Sequence, residues 1–459
     1  MIRCIFRFSP VLTEQSVNFP LEKKLSVNIV TQIHARFLSV FTSRQNRVAC
    51  LKNGMLLNAN NRGNQVINQA KYSLLVAALA LAGTAHADSV KIGFVSTLTT
   101  PAGVIGADIQ NSVDLALEHI DHKMANLDVE LFMEDDGFKP DVGKQKTDKL
   151  VKQNDVDFVA GYIWSHVLLA SMNSVLSANK FLISANAGPS QVAGKRCHEN
   201  FFSTSWQNDQ TPMALGEHLN KEGIRSLYVM APNYAAGKDM VAGVESIFEG
   251  EIKGKDLTKW GADAQLDFSA ELAKAKASGA QALFVFYPGK AGPAFLKQYQ
   301  QAGLQSVLPL YSVFTVDAIS LPRLQKAKLE GVLGSKNTQA WSPDLDNAAN
   351  KRFVGDYLAK HGGYPSFYGA QAYDSIMLIK SAVESVNGDL SDKNAIRDAL
   401  RSANYESVRG PYTYGNNGMP IQSFYLREVV EDDEGRWTTK VVETVFENHQ
   451  DPYASDCKL

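Results

Sequence analysis

Residues 89–121 read "SVKIGFVSTLTTPAGVIGADIQNSVDLALEHID", and this stretch decides how the rest of the chain is interpreted. Its first third is an apolar run of strand length opening into a loop rich in Thr, Pro and Gly. Its second half places Val113, Leu115, Ala116 and Ile120 on one side of a helical period. Strand, loop and amphipathic helix in that order begin a βαβ unit.

The alternation continues downstream. Strands are expected at "VELFMEDDG", "VDFVAGYI" and "KFLISANAG", separated by the helices "KPDVGKQKTDKLVKQ" and "SHVLLASMNSVLSAN". The pattern then restarts with the helix "NDQTPMALGEHLNKEG" and the strand "IRSLYVMAPN". The helix "AGKDMVAGVESIFEG", the strand "AQALFVFYPG", the helix "AGPAFLKQYQQAG" and the strand "VLPLYSVF" follow. "EGVLGSKNTQAW" reads as extended, and helices are expected over 344–361 and 366–387. The fold class implied is α/β, two doubly wound Rossmann-like lobes joined by several strands. No close internal repeat relates the halves.

Upstream, "KYSLLVAALALAGTAHAD" begins at Lys71. It has a positive flank, an apolar run from Leu74 to Ala82 and a small-residue end at Ala85-His86-Ala87, the parts of a secretion signal. The run is about half the ~20 residues of a membrane span. A short buried helix is the competing reading. Residues 1–70 hold nine Lys and Arg against Glu14 and Glu22, with no sustained period. We expect a leader over 1–87 with the signal peptide at 71–87, cleavage after Ala87 and a start at or near Met55; an organelle transit peptide is the alternative.

Removing the leader takes away ten Lys and Arg against two acids, leaving 372 residues of net charge about −10 where the whole chain carries −2. Nucleic acid and anionic membrane are then poor partners. The length exceeds the roughly 250–300 residues at which single cores stop growing, so two lobes are expected: 88–208 with 336–408, and 209–335 with 409–450, followed by a tail at 451–459. No second hydrophobic span is found, which fits an exported and soluble protein. Cys197 and Cys457 then form an even pair in an oxidising compartment, and a disulfide is expected, although spacing alone also allows two independent buried thiols.

Enzyme signatures are missing. There is no G-x-S-x-G, H-E-x-x-H or P-loop, and "PAGVIGAD" lacks dinucleotide-binding spacing. No cofactor or metal set is read. Asp135 and Asp136 fit acid/base work less well than a turn at a strand end, and His198 beside Cys197 loses its thiolate partner if the cysteine is bridged.

Loops after strands carry the candidate ligand residues, because open α/β sheets bind ligands there. "GYIWSHVLLAS" puts Trp164 and Ser165 at a helix start, whose unpaired amides attract a carboxylate; Ser165 as a plain N-cap is the alternative. "ISANAGPSQ" presents Ala185, Ala187 and Gly188, small enough for backbone amides to approach a ligand, or else a tight turn before Pro189. "APNYAAG", "FYPGKAG" and "YSVFTVDA" contribute Tyr234, Tyr287 with Gly289, and Phe314, an aromatic wall for a small organic acid or else interlobe packing.

The same loops, with "FVAGYIWS", "LISANAGPSQ", "NYAAGKDM", "LFVFYPG" and "YGAQAYDS" in order after the opening stretch, resemble the periplasmic leucine/isoleucine/valine-binding protein family, receptors of ABC importers, over 89–450. The resemblance implies a type I periplasmic-binding fold with three hinge crossings, a ligand between the lobes and a membrane permease as partner. It implies a carboxylate site at Ser165 with the backbone of Ala187 and Gly188, a ring at Tyr234, and Ile105 near the ligand side chain. One departure stands out: where amino-acid receptors place an acid for the ammonium, this chain has Phe314 and Thr315, with Asp317 further on. An unpaired buried ammonium costs several kcal/mol, so a carboxylate without an ammonium fits better. "KRCHENFFSTSWQND" and "YASDCKL" are similar to the branch associated with aromatic acids. A benzoate or hydroxycinnamate derivative is the favoured ligand, with branched-chain amino acids as the alternative. A ligand-sensing regulator on the same fold and a two-lobed hydrolase are the competing function classes.

Overall fold

The computed structural model describes residues 89–261 and 264–459. The expected leader, with its signal peptide and cleavage after Ala87, lies outside the described residues.

The opening stretch folds as β1 (Val90–Ser96) and α1 (Gly103–His119). Val90, Ile92, Phe94 and Val95 are fully buried, as a strand with both faces covered requires. β1 pairs in parallel with β3 (Leu127–Asp135) and β4 (Phe158–Gly161). With β2 (Lys123–Met124), β5 (Phe181–Ser184) and β6 (Phe201–Ser203) they form a six-stranded sheet of order β2-β3-β1-β4-β5-β6. Between its strands run α2 (Pro140–Lys152), α3 (Ser165–Leu176) and the short α4 (Ser190–Ala193).

After β6 the chain crosses into a second sheet. It passes through α5 (Gln210–Lys221), β7 (Ser226–Pro232), α6 (Ala235–Ile247), β8 (Glu251–Thr258), α7 (Ser269–Ala277), β9 (Ala282–Phe286), α8 (Ala291–Gln301), β10 (Leu310–Val313), α9 (Leu321–Lys326) and β11 (Lys336–Gln339). It then returns to the first lobe as α10 (Ala348–His361), α11 (Phe367–Ser385) and α12 (Lys393–Ser402). The last crossing gives β12 (Thr413–Tyr414) and the long hairpin β13 (Pro420–Glu431) and β14 (Trp437–His449). The second sheet has the order β12-β13-β11-β10-β9-β7-β8, with β14 on β13.

Three details differ from the sequence reading. Lys336–Gln339, assigned there to the first lobe, pairs with β10 and β13 inside the second sheet, so the return crossing comes after Gln339. β8 was not anticipated: it is an edge strand carrying Lys253 and Lys255, whose charges hide its period while protecting the edge. Nor was the β13–β14 hairpin.

The crossings are tied by buried polar contacts. Arg409 sends Nε to Asp374 on α11 at 3.1 Å and Nη1 to the Ser205 carbonyl at 3.1 Å and to Gln422 Oε1 at 2.7 Å. Both members of this ion pair are buried. Removing either would strand a charge, a loss of about 3–5 kcal/mol, so the pair fixes where the hinge begins. Cys197 and Cys457 form a disulfide with Cα atoms 5.6 Å apart, clamping the tail to α4 across 260 residues of chain. A loop that long removes several kcal/mol of unfolded-state freedom on the chain-entropy model.

Candidate functional site

β4 ends in a strained turn. Gly161 has φ +112°, and a Cβ there would lie 2.2 Å from the Val95 carbonyl oxygen; Tyr162 follows at φ +66°. The turn throws Trp164 and Ser165 over the sheet edge and starts α3 at once. The amides of Val167 and Leu168 both bond to the Trp164 carbonyl, so those of Ser165 and His166 lie ahead of the helical ladder.

These residues face the second lobe across a cavity of about 20 Å³. Ile163, Trp164, Ser165, Asn186, Trp206, Asn208 and Tyr368 line it from the first lobe and the first crossing. Tyr234, Ala236, Met240, Phe286, Pro288 and Phe314 line it from the second. Trp164 and Pro288 also wall a neighbouring chamber of about 250 Å³ at the cleft mouth, with Phe138, Trp260, Leu266, Lys139 and Lys290. Hollows of about 240 and 360 Å³ elsewhere are each walled by one lobe. The inner cavity has room for about one water. A ring enters it only when the lobes part.

The aromatic residues form one connected stack. Tyr234 lies nearly parallel to Trp260 at 5.0 Å, Trp260 meets Trp164 at 5.6 Å, and Phe314 meets Trp206 at 5.0 Å and Phe286 at 5.4 Å. Phe314 holds φ +56°, a conformation that costs a bulky residue about 1–3 kcal/mol. Such strain is kept where the surrounding structure over-determines it, and here it turns the ring into the cleft.

The inner cavity carries no acidic side chain. His166 beside it is held neutral, its pKa pushed down to about 4 by burial. Burial raises the Tyr234 and Tyr368 phenols, so both stay protonated. What remains is a set of dipoles: the helix-start amides, the Ser165 hydroxyl and the amides of Asn186 and Asn208. Asn186 Nδ2 bonds the Ile163 carbonyl at 2.6 Å, while its buried Oδ1 has no partner.

Of the residues expected from sequence, Trp164, Ser165, Tyr234 and Phe314 line the inner cavity, and Gly289 lines the outer chamber. The others are placed differently. The amides of Ala185 and Ala187 are spent on the carbonyls of Gly161 and Tyr162, at 2.8 and 3.0 Å. Gly188 N–H donates to Asn208 Oδ1, and a Cβ at Gly188 would sit 1.9 Å from the Trp206 carbonyl oxygen, so its small size serves packing against the crossing. Ile105 is buried, with its tip 3.6 Å from where a Cβ of Gly289 would be, so it abuts the chamber's rim and not the inner cavity. Tyr287 turns into the second lobe's own core, where its ring packs on Phe268 and Phe295 and its hydroxyl accepts from Thr258. Thr315 accepts the Tyr287 N–H, and Asp317 accepts the amides of Ile319 and Ser320, so neither enters the cavity. Asp135 and Asp136 hold the turn after β3, accepting from Leu98 and Gly137 amides and from Thr97 and Phe138 respectively.

Sequence reasoning missed Trp206, Asn208, Phe286 and Trp260. Trp260 follows β8, whose charged alternation concealed the strand. Asn208 sits in "SWQND", at a crossing that no periodicity marks.

Comparison with known proteins supplies the lineage. The family model described as periplasmic binding protein matches residues 89–435. A Leu/Ile/Val-binding protein homolog 6 of Brucella melitensis is 27% identical over 391 residues, covering 83% of this chain and 97% of the relative. The solute-binding protein of an ABC transporter from R. palustris, solved in complex with benzoate, superposes with TM-score 0.74 at 25% identity, covering 81% of this chain and 100% of that one. Another, from Rhodopseudomonas palustris BisB5 in complex with 3,4-dihydroxy benzoic acid, gives TM-score 0.72 at 26% identity, covering 79% and 99%. Two hinged α/β lobes with a dipole-lined cleft, and a family match over most of the chain, lead to one statement: the chain belongs to the periplasmic binding protein family, as a substrate-binding protein of an ABC transporter and not an enzyme.

Proposed function

We propose that this protein captures a small aromatic carboxylate between its lobes and delivers it, after export to the periplasm, to a membrane permease. The observation that carries the ligand class is the inner cavity's composition. Rings line it from both lobes and helix-start amides stand beside Ser165, yet no acidic side chain is present to pair an ammonium. Leaving an ammonium unpaired there costs several kcal/mol. A carboxylate is instead matched by the Ser165 hydroxyl and the partial positive charge of α3. The free Asn186 Oδ1 suits a hydroxyl substituent on the ligand ring. The lobes of this reading are 88–208 with the return segment to residue 408, and 209–339 with 409–450.

The benzoate and 3,4-dihydroxybenzoate complexes of the two structural relatives support the same class. The second reading, a branched-chain amino acid, is favoured by the name of the curated relative. Closure requires that the ligand contact the closed state better than the open one. No helix among the described residues is long and apolar enough to cross a membrane.

Calorimetry with benzoate, 3,4-dihydroxybenzoate and isoleucine tests the proposal. The aromatic acids are expected to bind, and Ser165→Ala to weaken them by about 1–3 kcal/mol, the worth of a hydrogen bond to a charged group. Binding of isoleucine with no response to either benzoate would overturn it. N-terminal sequencing of the periplasmic form, expected to begin at Asp88, tests export.

A further inference from the structure

Behind the carboxylate site, three residues join the lobes. Asp239 on α6, in lobe two, accepts from Ser190 N–H at 3.1 Å and Ser190 Oγ at 2.9 Å in lobe one, and from Asn208 Nδ2 at 2.9 Å in the first crossing. Asn208 Nδ2 also donates to Ser165 Oγ at 3.1 Å. The orientation of the Asn208 amide is fixed by its neighbours. Gly188 N–H can only donate, so it selects Oδ1, and the Asp239 carboxylate selects the nitrogen. The two protons on that nitrogen then serve one acceptor each.

The consequence falls on Ser165. One lone pair of its oxygen takes that N–H, and no acceptor for its own proton is found among the described residues, which leaves the proton to be donated into the cavity that it lines. Asp239 is buried, with no ion-pair partner among the described residues. A bare carboxylate near an anion site repels the ligand by an amount that falls with distance and with the donors that the carboxylate accepts. Asn208 supplies the distance and, with Ser190, the donors, while the charge of Asp239 aligns the Asn208 dipole.

We infer that Asp239 and Asn208 are positioning residues that, on closure, turn the Ser165 hydroxyl into a dedicated donor for the ligand carboxylate, so that anion binding and lobe closure are one event. The inference rests on the aromatic-carboxylate reading of the cleft. It adds a lobe-two residue, remote from the ligand, to the determinants of anion affinity.

The test is a double-mutant cycle read by benzoate calorimetry. Asp239→Asn alone is expected to weaken benzoate by about tenfold or more, the scale of a lost charge-assisted bond. In a Ser165→Ala background the same change is expected to cost clearly less than in the wild type, because the donor it orients is gone and only the Ser190 latch remains to be lost. Asp239→Glu, which keeps the charge, is expected to retain more affinity than Asp239→Asn and covers the case of a poorly folding asparagine variant. Fully additive losses, or equal losses for the Asn and Glu variants, would overturn the inference. A ligand-free arm separates its failure from that of the ligand assignment: by small-angle scattering, Asp239→Asn and Ser190→Ala are each expected to enlarge the radius of gyration. If benzoate does not bind the wild type, the ligand class fails while this arm still decides the latch; unchanged scattering from both variants removes it.

Discussion

The two walls of the cleft share aromatic rings but differ in where their free dipoles lie. Lobe one and the first crossing offer dipoles, from the start of α3, the Ser165 hydroxyl and the amides of Asn186 and Asn208, set among the rings of Trp164, Trp206 and Tyr368. Lobe two offers rings: Tyr234, Phe286 and Phe314, with Trp260 stacked behind. The difference follows from how each sheet ends. In lobe one, β4 turns almost directly into a helix, which leaves backbone amides at the edge. In lobe two the loop after β10 is strained at Phe314 and delivers a side chain. On the proposed reading, the dipoles of lobe one meet the ligand's carboxylate and the rings of both walls meet what it is attached to.

The sharpest way to break this division is to put a charge on the ring wall. Phe314→Asp places an acid against the inner cavity, and Asp tolerates the left-handed backbone better than Phe. Benzoate affinity is expected to fall by more than about 2 kcal/mol, since like-charge juxtaposition costs several. Isoleucine is expected to gain measurable binding; calorimetry with both ligands reads the switch. A milder probe is Trp260→Ala, which removes the ring stacked on Tyr234. Loss of its pairs with Tyr234, Trp164 and Phe138 predicts a benzoate affinity about 1–2 kcal/mol weaker with the Ser165 effect unchanged, whereas a change in the Ser165 effect would mean that the walls are coupled.

Asp209, next to Asn208, probes the crossing between the walls. Burial first, and then the charges of Asp239 and Asp451, push its pKa from 3.8 up to about 7. The folded protein therefore holds a proton that the unfolded chain releases near pH 4. The associated stability is present below about pH 4 and is lost as pH rises towards 7. Relative to Asp209→Asn, the wild-type melting temperature is expected to decline across that window; parallel curves would show that the carboxyl is ionised throughout. The smallest effect is predicted for Tyr287→Phe. Its hydroxyl meets only Thr258 inside lobe two, so benzoate affinity should stay within about twofold and stability should fall by about 1 kcal/mol or less.

The alternation from Val90 onward gave both α/β lobes, because strands buried on both faces and one-sided helices leave strong periodic signals. The helix start at Ser165 and the ring at Phe314 were legible because each follows a recognisable strand. Tyr287 sits at the expected strand end, but as the residue before Pro288 it packs on Phe268 and Phe295 in lobe two's core and not on the cleft wall. Ala187 and Gly188 lie in the expected loop, yet their amides are consumed by Tyr162 and Asn208, pairings between segments that no local pattern reports.

By itself, then, the chain's pattern of apolar runs and helical faces determined the two-lobed architecture, the absence of enzyme motifs and the residue types at the strand ends, since these depend on neighbours within a few positions. The pairing of Asp239 with Ser190, the orientation of Asn208 and the lack of an acid in the inner cavity depend on segments from both lobes and the first crossing meeting in space. Only the tertiary structure decides those, because a hydrogen bond is set by distance and angle between groups that the sequence holds far apart.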